Sequence, residues 1–558
     1  MERLFPTHRI RKQECLDGIW DFQPVDKMEL PEEYLDTMAV PSCWEMNVQY
    51  CQYTGYAAYR KKIFVFQEGN VRFVFKGVSH TCEVYLDGQK LGMHYNAYTP
   101  FAVTANRVAA GEHVLEVLVD NTFSEKSTLH IENDYFTYGG ITRPVFMEIV
   151  PDCFVERSEF EPVLENGQWK AEVRVWLKNI TDTPADVELA VKCAGMETRV
   201  AGHVGGLEDS MLCASMQFEE AEPWSTEHPN LYQVCYELST EGSVTDDLLD
   251  RIGFRTVSMA GRKVLINGKP VFIKGVNRHE DHGTTGCAIP LQVMYSDIAL
   301  IRQLGANGVR TSHYPNDERF LDMCDENGIL VWEESHDRGG NVERITNPLF
   351  IQQSMQVMRE MLEYHYNHPS IIIWGCLNEA ASDTPEGREI FKLHLDYLAG
   401  DKSRLCTFAS NKHDSDMCLD MEDICSVNMY PLWYRNDTTE WTLERIRRHI
   451  RETGNESKPL IISEYGGGAI YNFHDVMRVK WSEEYQSDLL ESVTTDLLND
   501  EGIAGVFIWQ FCDIRIKGAR FSTTRPKERN NKGLVDEYRR PKAAYYTVKR
   551  IFEALRNS

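Results

Sequence analysis

The chain has 558 residues, 42% hydrophobic and 11% aromatic, with a formal net charge of −26. At about 100–200 residues per domain, that length predicts about three domains with ample core and no large disordered segment. A chain this acidic repels nucleic acid and anionic membranes, so neither is an expected partner. No run approaches the roughly 18 apolar residues of a membrane span.

The opening stretch MERLFPTHRIRKQECLDGIWDF lacks an apolar core segment, so no signal peptide is expected. The 15 cysteines are odd in number, irregularly spaced and without a Cys-x-x-Cys pair. They read as free, mostly buried thiols of a reducing compartment, and the expected location is the cytoplasm. Residues 1–150 then alternate apolar and polar positions in short strands such as VRFVFKGV, CEVYLDGQKLG and HVLEVLVDN, with DGQ as a hairpin turn. This predicts an all-β, jelly-roll-like sandwich. Residues 151–257 continue with KAEVRVWLKN, ADVELAVKC and LYQVCYELS. Roughly seven short strands in about 100 residues predict a second, immunoglobulin-like sandwich.

From residue 258 short apolar runs alternate with amphipathic helical segments such as SDIALIRQLGA and NDERFLDMCDENG. The strand candidates are VFIKGVNRH (271–279), GVRTSHY (308–314), ILVWEE (329–334), SIIIWGCLNE (370–379), RLCTFAS (404–410), ICSVNMY (424–430), PLIISEY (459–465) and VFIWQF (506–511). Such βα alternation predicts a closed (β/α)8 TIM barrel over 258–558, with its site at the C-terminal strand ends. Those ends carry Asn277 through Asp281, His313, Tyr314, Glu333, Glu334, Asn378, Glu379, Asn428, Tyr430, Glu464, Tyr465 and Trp509.

Two facing carboxylates, Glu379 after strand four and Glu464 after strand seven, suit glycoside hydrolysis. One protonates the leaving oxygen while the other stays ionised. The Asn378 amide can bond a sugar hydroxyl in the transition state. In NRHEDH, His279, Glu280, Asp281 and His282 are adjacent and point in alternating directions, so no metal site is expected there. Bonds from some of them to sugar hydroxyls are expected instead, and no cofactor is called for.

GVNRHEDH, VRTSHYPND, WGCLNEA and IISEYGG, on a barrel behind two sandwiches, closely resemble glycoside hydrolase family 2, which holds β-galactosidases, β-glucuronidases and β-mannosidases. The resemblance implies a retaining enzyme with Glu379 as acid/base and Glu464 as nucleophile. NMYPLWY, KWSEEYQ and RRPKAAYY look most like the β-glucuronidases, which places Asn428, Tyr430 and Tyr434 in the sugar pocket alongside His279, His313 and Trp509. RNNKGLVDE resembles the Asn-x-Lys motif that binds a uronic acid carboxylate, here Asn530 and Lys532. Charge-assisted hydrogen bonds suit that anion, and Arg525, Lys527 and Arg529 supply further positive charge. NDYFTYGGITRP resembles a sandwich loop that reaches the barrel mouth and puts Asp134 on sugar hydroxyls. EESHDRGG departs from the β-glucuronidase pattern. Its Arg338 is similar to an arginine of galacturonide-cleaving relatives, or else it pairs with Asp337 or Glu343. NVERITNPLFIQQS is too short for a long aglycone-covering loop, which predicts an open entrance.

The expected function is therefore an exo-acting retaining β-uronidase on β-glucuronides, β-galacturonides or both. The alternatives are a β-galactosidase of the same family, towards which SHYPND leans, and an inactive carbohydrate-binding protein. By analogy with relatives, a homo-oligomer is expected.

Overall fold

The period-two pattern of the first residues builds two antiparallel sheets. The computed structural model describes residues 2–517 and 524–556. A four-stranded sheet orders Lys12–Cys15, Val145–Val150, Gly69–Phe75 and Phe101–Val108. A six-stranded one orders Asp36–Val40, Gly18–Val25, Tyr56–Val65, Gly111–Asp120, Thr81–Leu86 and Gln89–Tyr95. Their inner faces share one core that includes Trp20, Trp44, Phe73 and Val117. The hairpin at DGQ forms: Leu86 pairs with Gln89, and Asp87 and Gly88 both take positive φ (50° and 77°), as a tight primed turn requires.

Seven strands follow, in sheets of three (Cys153–Glu165, Gln168–Asn179, Asp209–Phe218) and four (Met196–Val204, Ala185–Cys193, Tyr232–Thr240, Ser243–Ile252). They enclose a separate core around Val173, Leu189 and Tyr236. Gln168–Asn179 runs 12 residues and alternates between buried and at least partly exposed positions, so these strands are longer than the short ones expected.

All eight barrel strands form, as Ile273–Asn277, Gly308–Thr311, Leu330–Glu334, Ile371–Cys376, Leu405–Phe408, Cys425–Asn428, Leu460–Tyr465 and Gly505–Ile508. Parallel pairing runs through one eight-stranded sheet from strand five round to strand six. The ring closes between those two through a single bridge, Ser410 to Val427. One element was not anticipated. Val257–Ala260, Lys263–Ile266 and Lys269–Val271 form a small meander ahead of strand one. Its Val264 and Ile266 pack with Ile273, Leu330, Leu405 and Ile461, at the starts of barrel strands, so the meander covers the N-terminal end of the barrel. The signal was Asn267-Gly268, a tight-turn pair with φ of 52° and 73°.

At the other end, Tyr95, Tyr98, Leu129 and Tyr135 of the first sandwich share a hydrophobic cluster with the barrel and its helices. This packing brings the loop carrying Asn133 and Asp134 to the barrel mouth. Among the described residues, no helix is long and apolar enough to cross a membrane.

Candidate active site

Strand four begins the site. Ile371, Ile372, Ile373 and Trp374 are fully buried, and the strand pairs with Trp332, Glu333 and Glu334 of strand three. Past its end the backbone turns through Leu377 and Glu379, both at positive φ (48° and 53°), and neighbouring strand ends pin it. The Glu379 amide donates to the Ala409 carbonyl (2.9 Å), and the Gly339 amide donates to the Asn378 carbonyl (2.8 Å). Glu379 is thereby turned into a cavity of about 510 Å³ that Glu464, Asp134, Arg338, Arg525 and Lys532 also line.

A residue that sequence reasoning passed over organises the floor. Arg310, fully buried in strand two, donates to both Glu334 oxygens (2.8 and 2.9 Å), to Glu464 Oε1 (2.9 Å), to Asn378 Oδ1 (2.8 Å) and to Asn277 Oδ1 (3.0 Å). The signal available was a charged side chain inside the strand GVRTSHY. Glu464 takes its second donor at Oε2 from the Tyr430 hydroxyl (2.6 Å). Burial pushes the Glu464 carboxyl up to about 7 and neighbouring Glu379 adds to this, while Arg310 and Tyr430 oppose it. Burial likewise raises Glu334. One guanidinium cannot neutralise every carboxylate around it.

Glu379 is served differently. Asn428 Nδ2 donates to its Oε1 (3.0 Å), Arg338 Nη2 lies 3.8 Å from its Oε2, and the side chain keeps 19% exposure towards the cavity. Asn428 and Tyr430, placed by the sequence in a sugar pocket, thus each hold one of the two carboxylates. Asn378 keeps its Nδ2 buried with no hydrogen-bond partner among the described residues, and the same is true of Nε2 of His279 and His313 and of Oδ1 of Asn530. His313 Nδ1 faces Glu334 Oε1 at 2.8 Å, and burial keeps the ring neutral, which leaves Nε2 a bare acceptor. Trp509 stacks on His313 with centroids 5.0 Å apart and lines the cavity.

The charged side of the cavity joins two domains. Asp134 of the sandwich loop sits between Arg338 (3.0 Å) and Arg525 (3.0 Å), with Asn530 Nδ2 at 3.4 Å. These cations, Arg338 first, hold its carboxyl well below the usual range against the effect of burial. Arg338 therefore pairs with neither Asp337 nor Glu343; it bonds Asp134 and Asn133. Of the four basic residues expected to face the sugar, Arg525 and Lys532 line the cavity. Lys527 is exposed, and Arg529 turns to Glu537 (3.6 Å). Lys532 is 2% exposed, donates to the Tyr434 hydroxyl (3.0 Å) and lies 5.3–5.8 Å from the ring centres of Tyr430, Trp433 and Tyr434. Among the described residues it forms no ion pair with a carboxylate. Burial presses its pKa below the usual lysine range, and Arg525 adds to this.

The NRHEDH side chains diverge. His279 meets the Tyr314 hydroxyl, Glu280 meets Arg143, Asp281 meets the Tyr138 hydroxyl, and His282 meets Thr284.

Comparison with known proteins agrees with this layout. The sequence model of the glycosyl hydrolases family 2 TIM barrel domain matches residues 257–557. The family's sugar binding domain matches 13–151, and a further family 2 model matches 153–255. The chain belongs to glycosyl hydrolase family 2. Among solved structures, this family 2 chain is similar to a β-galacturonidase from Eisenbergiella tayi bound to galacturonate. Identity is 41%, the TM-score is 0.95, and 99% of each chain is covered. It also matches the β-glucuronidase of Chlorocebus aethiops, at 26% identity over 99% of this chain and 93% of that protein. A third match is a putative β-glucuronidase of Formosa agariphila, at 28% identity over 85% of this chain, where it spans 61% of the relative's length.

Proposed function

We propose that this family 2 chain is an exo-acting, retaining β-uronidase. The observation that carries this reading is Lys532, a buried cation in the cavity with no carboxylate partner among the described residues. Three cations, Arg338, Arg525 and Lys532, gather there around Asp134, and of these Arg338 also lies 3.8 Å from Glu379. A neutral hexoside would leave that charge unmatched, whereas the C6 carboxylate of a uronide balances it through charge-assisted bonds.

The two glutamates divide the chemistry by what holds them. Glu464 accepts from a guanidinium, which has no acceptor and cannot turn to receive a proton, and from a phenol. Its raised pKa alone would favour the acid role. The donor set argues for the carboxylate form, and that is the stronger argument, because a proton on Oε1 would face a donor. Glu464 attacks the anomeric carbon as the glycosidic C–O bond breaks, and Glu379 passes its proton to the departing oxygen. Glu379 then takes a proton from water, which attacks the same carbon and releases Glu464. Asn378 Nδ2 and His313 Nε2 offer a free donor and a free acceptor to ring hydroxyls. The likeness to a β-galacturonidase favours a galacturonide over a glucuronide.

The test compares kcat/KM on p-nitrophenyl β-galacturonide, β-glucuronide and β-galactoside, in wild type and Lys532→Ala. A lost hydrogen bond to a charged group is worth about 1.5–3 kcal/mol, so uronide turnover should fall roughly 10- to 150-fold relative to galactoside. An unchanged ratio points to the neutral-sugar reading. Labelling of Glu464 by a 2-fluoro uronide would exclude an inactive binding protein.

A further inference from the structure

All 15 cysteines are free thiols, and two of them meet across a domain boundary. Cys43 Sγ of the first sandwich lies 3.5 Å from Cys287 Sγ, in the turn that follows barrel strand one. Among the described residues no other two cysteines make a thiol–thiol contact. The backbone pins both. On either side of Cys43, the Ser42 amide donates to the Ile141 carbonyl (2.9 Å) and the Trp44 amide to the Gly139 carbonyl (3.1 Å). The turn before Cys287 closes on itself, with the His282 amide on the Gly286 carbonyl (3.0 Å) and the Gly286 amide on the His282 carbonyl (2.9 Å). Gly286 takes a φ of 57°, and a Cβ built on it would lie 3.1 Å from Cys43 Sγ and 2.8 Å from the Tyr138 ring. Only a glycine there lets the two segments approach this closely.

These segments seat the sandwich on the barrel. The Cys43 segment holds the end of the loop that carries Asp134, because the Gly139 amide also donates to the Glu45 carboxylate (2.9 Å). Tyr138 of the same loop donates to Asp281 (2.9 Å), just ahead of the Cys287 turn. A bond between the two sulfurs would fasten the base of the Asp134 loop to the barrel covalently. Closing from 3.5 Å to the roughly 2.0 Å of a disulfide is a movement of about 1.5 Å. Cys43 is buried and Cys287 only half-buried, so an external reagent meets Cys287 first. The contact with Cys43, together with burial, holds the Cys287 thiol above its usual range, so exchange at neutral pH is slow.

We infer that Cys43 and Cys287 form an oxidative modification site, where a low-molecular-weight disulfide such as oxidised glutathione staples the first sandwich to the barrel. The Cys287 thiolate attacks one sulfur of the oxidant and expels the first glutathione thiolate. The Cys43 thiolate then attacks Cys287 Sγ and expels the second. The protein thiols lose two protons and two electrons, and the oxidant leaves as two molecules of reduced glutathione. In the experiment the full chain is incubated with oxidised glutathione at about pH 8.5, alkylated in urea and digested without reductant. Mass spectrometry should find the Cys43 and Cys287 peptides linked, lighter by the two lost hydrogens. The staple joins residues 244 positions apart, so the melting temperature should rise by about 2–6 °C, reversibly with dithiothreitol. Cys287→Ser should show neither the link nor the rise. The mapping is done on wild type, so it stands whether or not that variant folds. The exposed Cys15 and Cys51 report that the oxidant acted. If they carry glutathione while Cys287 is recovered alkylated or as a mixed disulfide, the site is overturned. A linked peptide at an unchanged melting temperature overturns the staple.

Discussion

A single buried guanidinium, that of Arg310, holds Glu464, Glu334, Asn378 and Asn277 together. Removing it as Arg310→Met leaves two buried carboxylates without their cation. Breaking a buried pair costs about 3–5 kcal/mol, so the urea midpoint should drop sharply. The pH dependence follows from Glu464. On the proposed mechanism it must be ionised to attack, and burial places its pKa near 7. The kcat/KM of the free enzyme on an aryl uronide should therefore decline on the acid side with a midpoint near 7. Tyr430→Phe removes the donor to Oε2 and should move that midpoint upwards. A profile flat down to pH 5 would contradict this picture of the nucleophile.

At the scale of elements, strand four shows how packing transmits to chemistry. Gly375 faces strand three so closely that a Cβ built on it would lie 2.2 Å from Trp332 Nε1 and 2.9 Å from Glu334 Cβ. Glu334 in turn anchors Arg310 and His313. Gly375→Ala should cost about 1–3 kcal/mol of stability by overpacking, and it should also lower kcat by displacing Glu334. Thermal melts and uronide kinetics measured together check this. A lower melting temperature at wild-type kcat would mean that strand three absorbs the strain without passing it to Arg310.

Charge regulation belongs to the whole molecule. Burial pushes Glu45 up to about 8 and Asp337 and Asp513 up to about 7, as it does Glu464. Each keeps its proton in the native state well above the usual carboxylate range, so the folded chain binds more protons than the unfolded one as pH approaches 8. Their stabilisation is complete below about pH 4 and is lost as pH rises through these folded values. The buried imidazoles of His80, His130, His279, His313, His336 and His394, pushed below their usual range by desolvation, act in the opposite sense, but the unfolded imidazole is already half deprotonated at pH 6.5, so each adds only about 0.4 kcal/mol above that pH. The melting temperature should therefore be lower at pH 8 than at pH 6.5. Glu45→Gln should flatten that decline, since its amide oxygen can still accept from Asn121 and Gly139. A melting temperature that climbs from pH 6.5 to 8 would refute the assignment.

Local pattern alone determined the architecture: period-two alternation marks the two sandwiches, and eight apolar runs ending in polar tips mark the barrel. It also singled out Glu379 and Glu464 at facing strand ends, whereas Asn530 and Lys532 came only from the resemblance to glycoside hydrolase family 2, because composition reads their loop as a solvated basic run. What it could not express was which side chain faces which. Asn428 and Tyr430 turn to the two glutamates, and Arg338 crosses to Asp134 in another domain, 204 positions away in the chain. Lys527 and Arg529 point away from the cavity while Arg525 and Lys532 line it, within one eight-residue stretch. Those choices depend on burial and on partners brought together from distant segments. A charged residue reads the same in sequence whether it meets solvent, a neighbour or a substrate, and only the packed structure supplies the partner that decides.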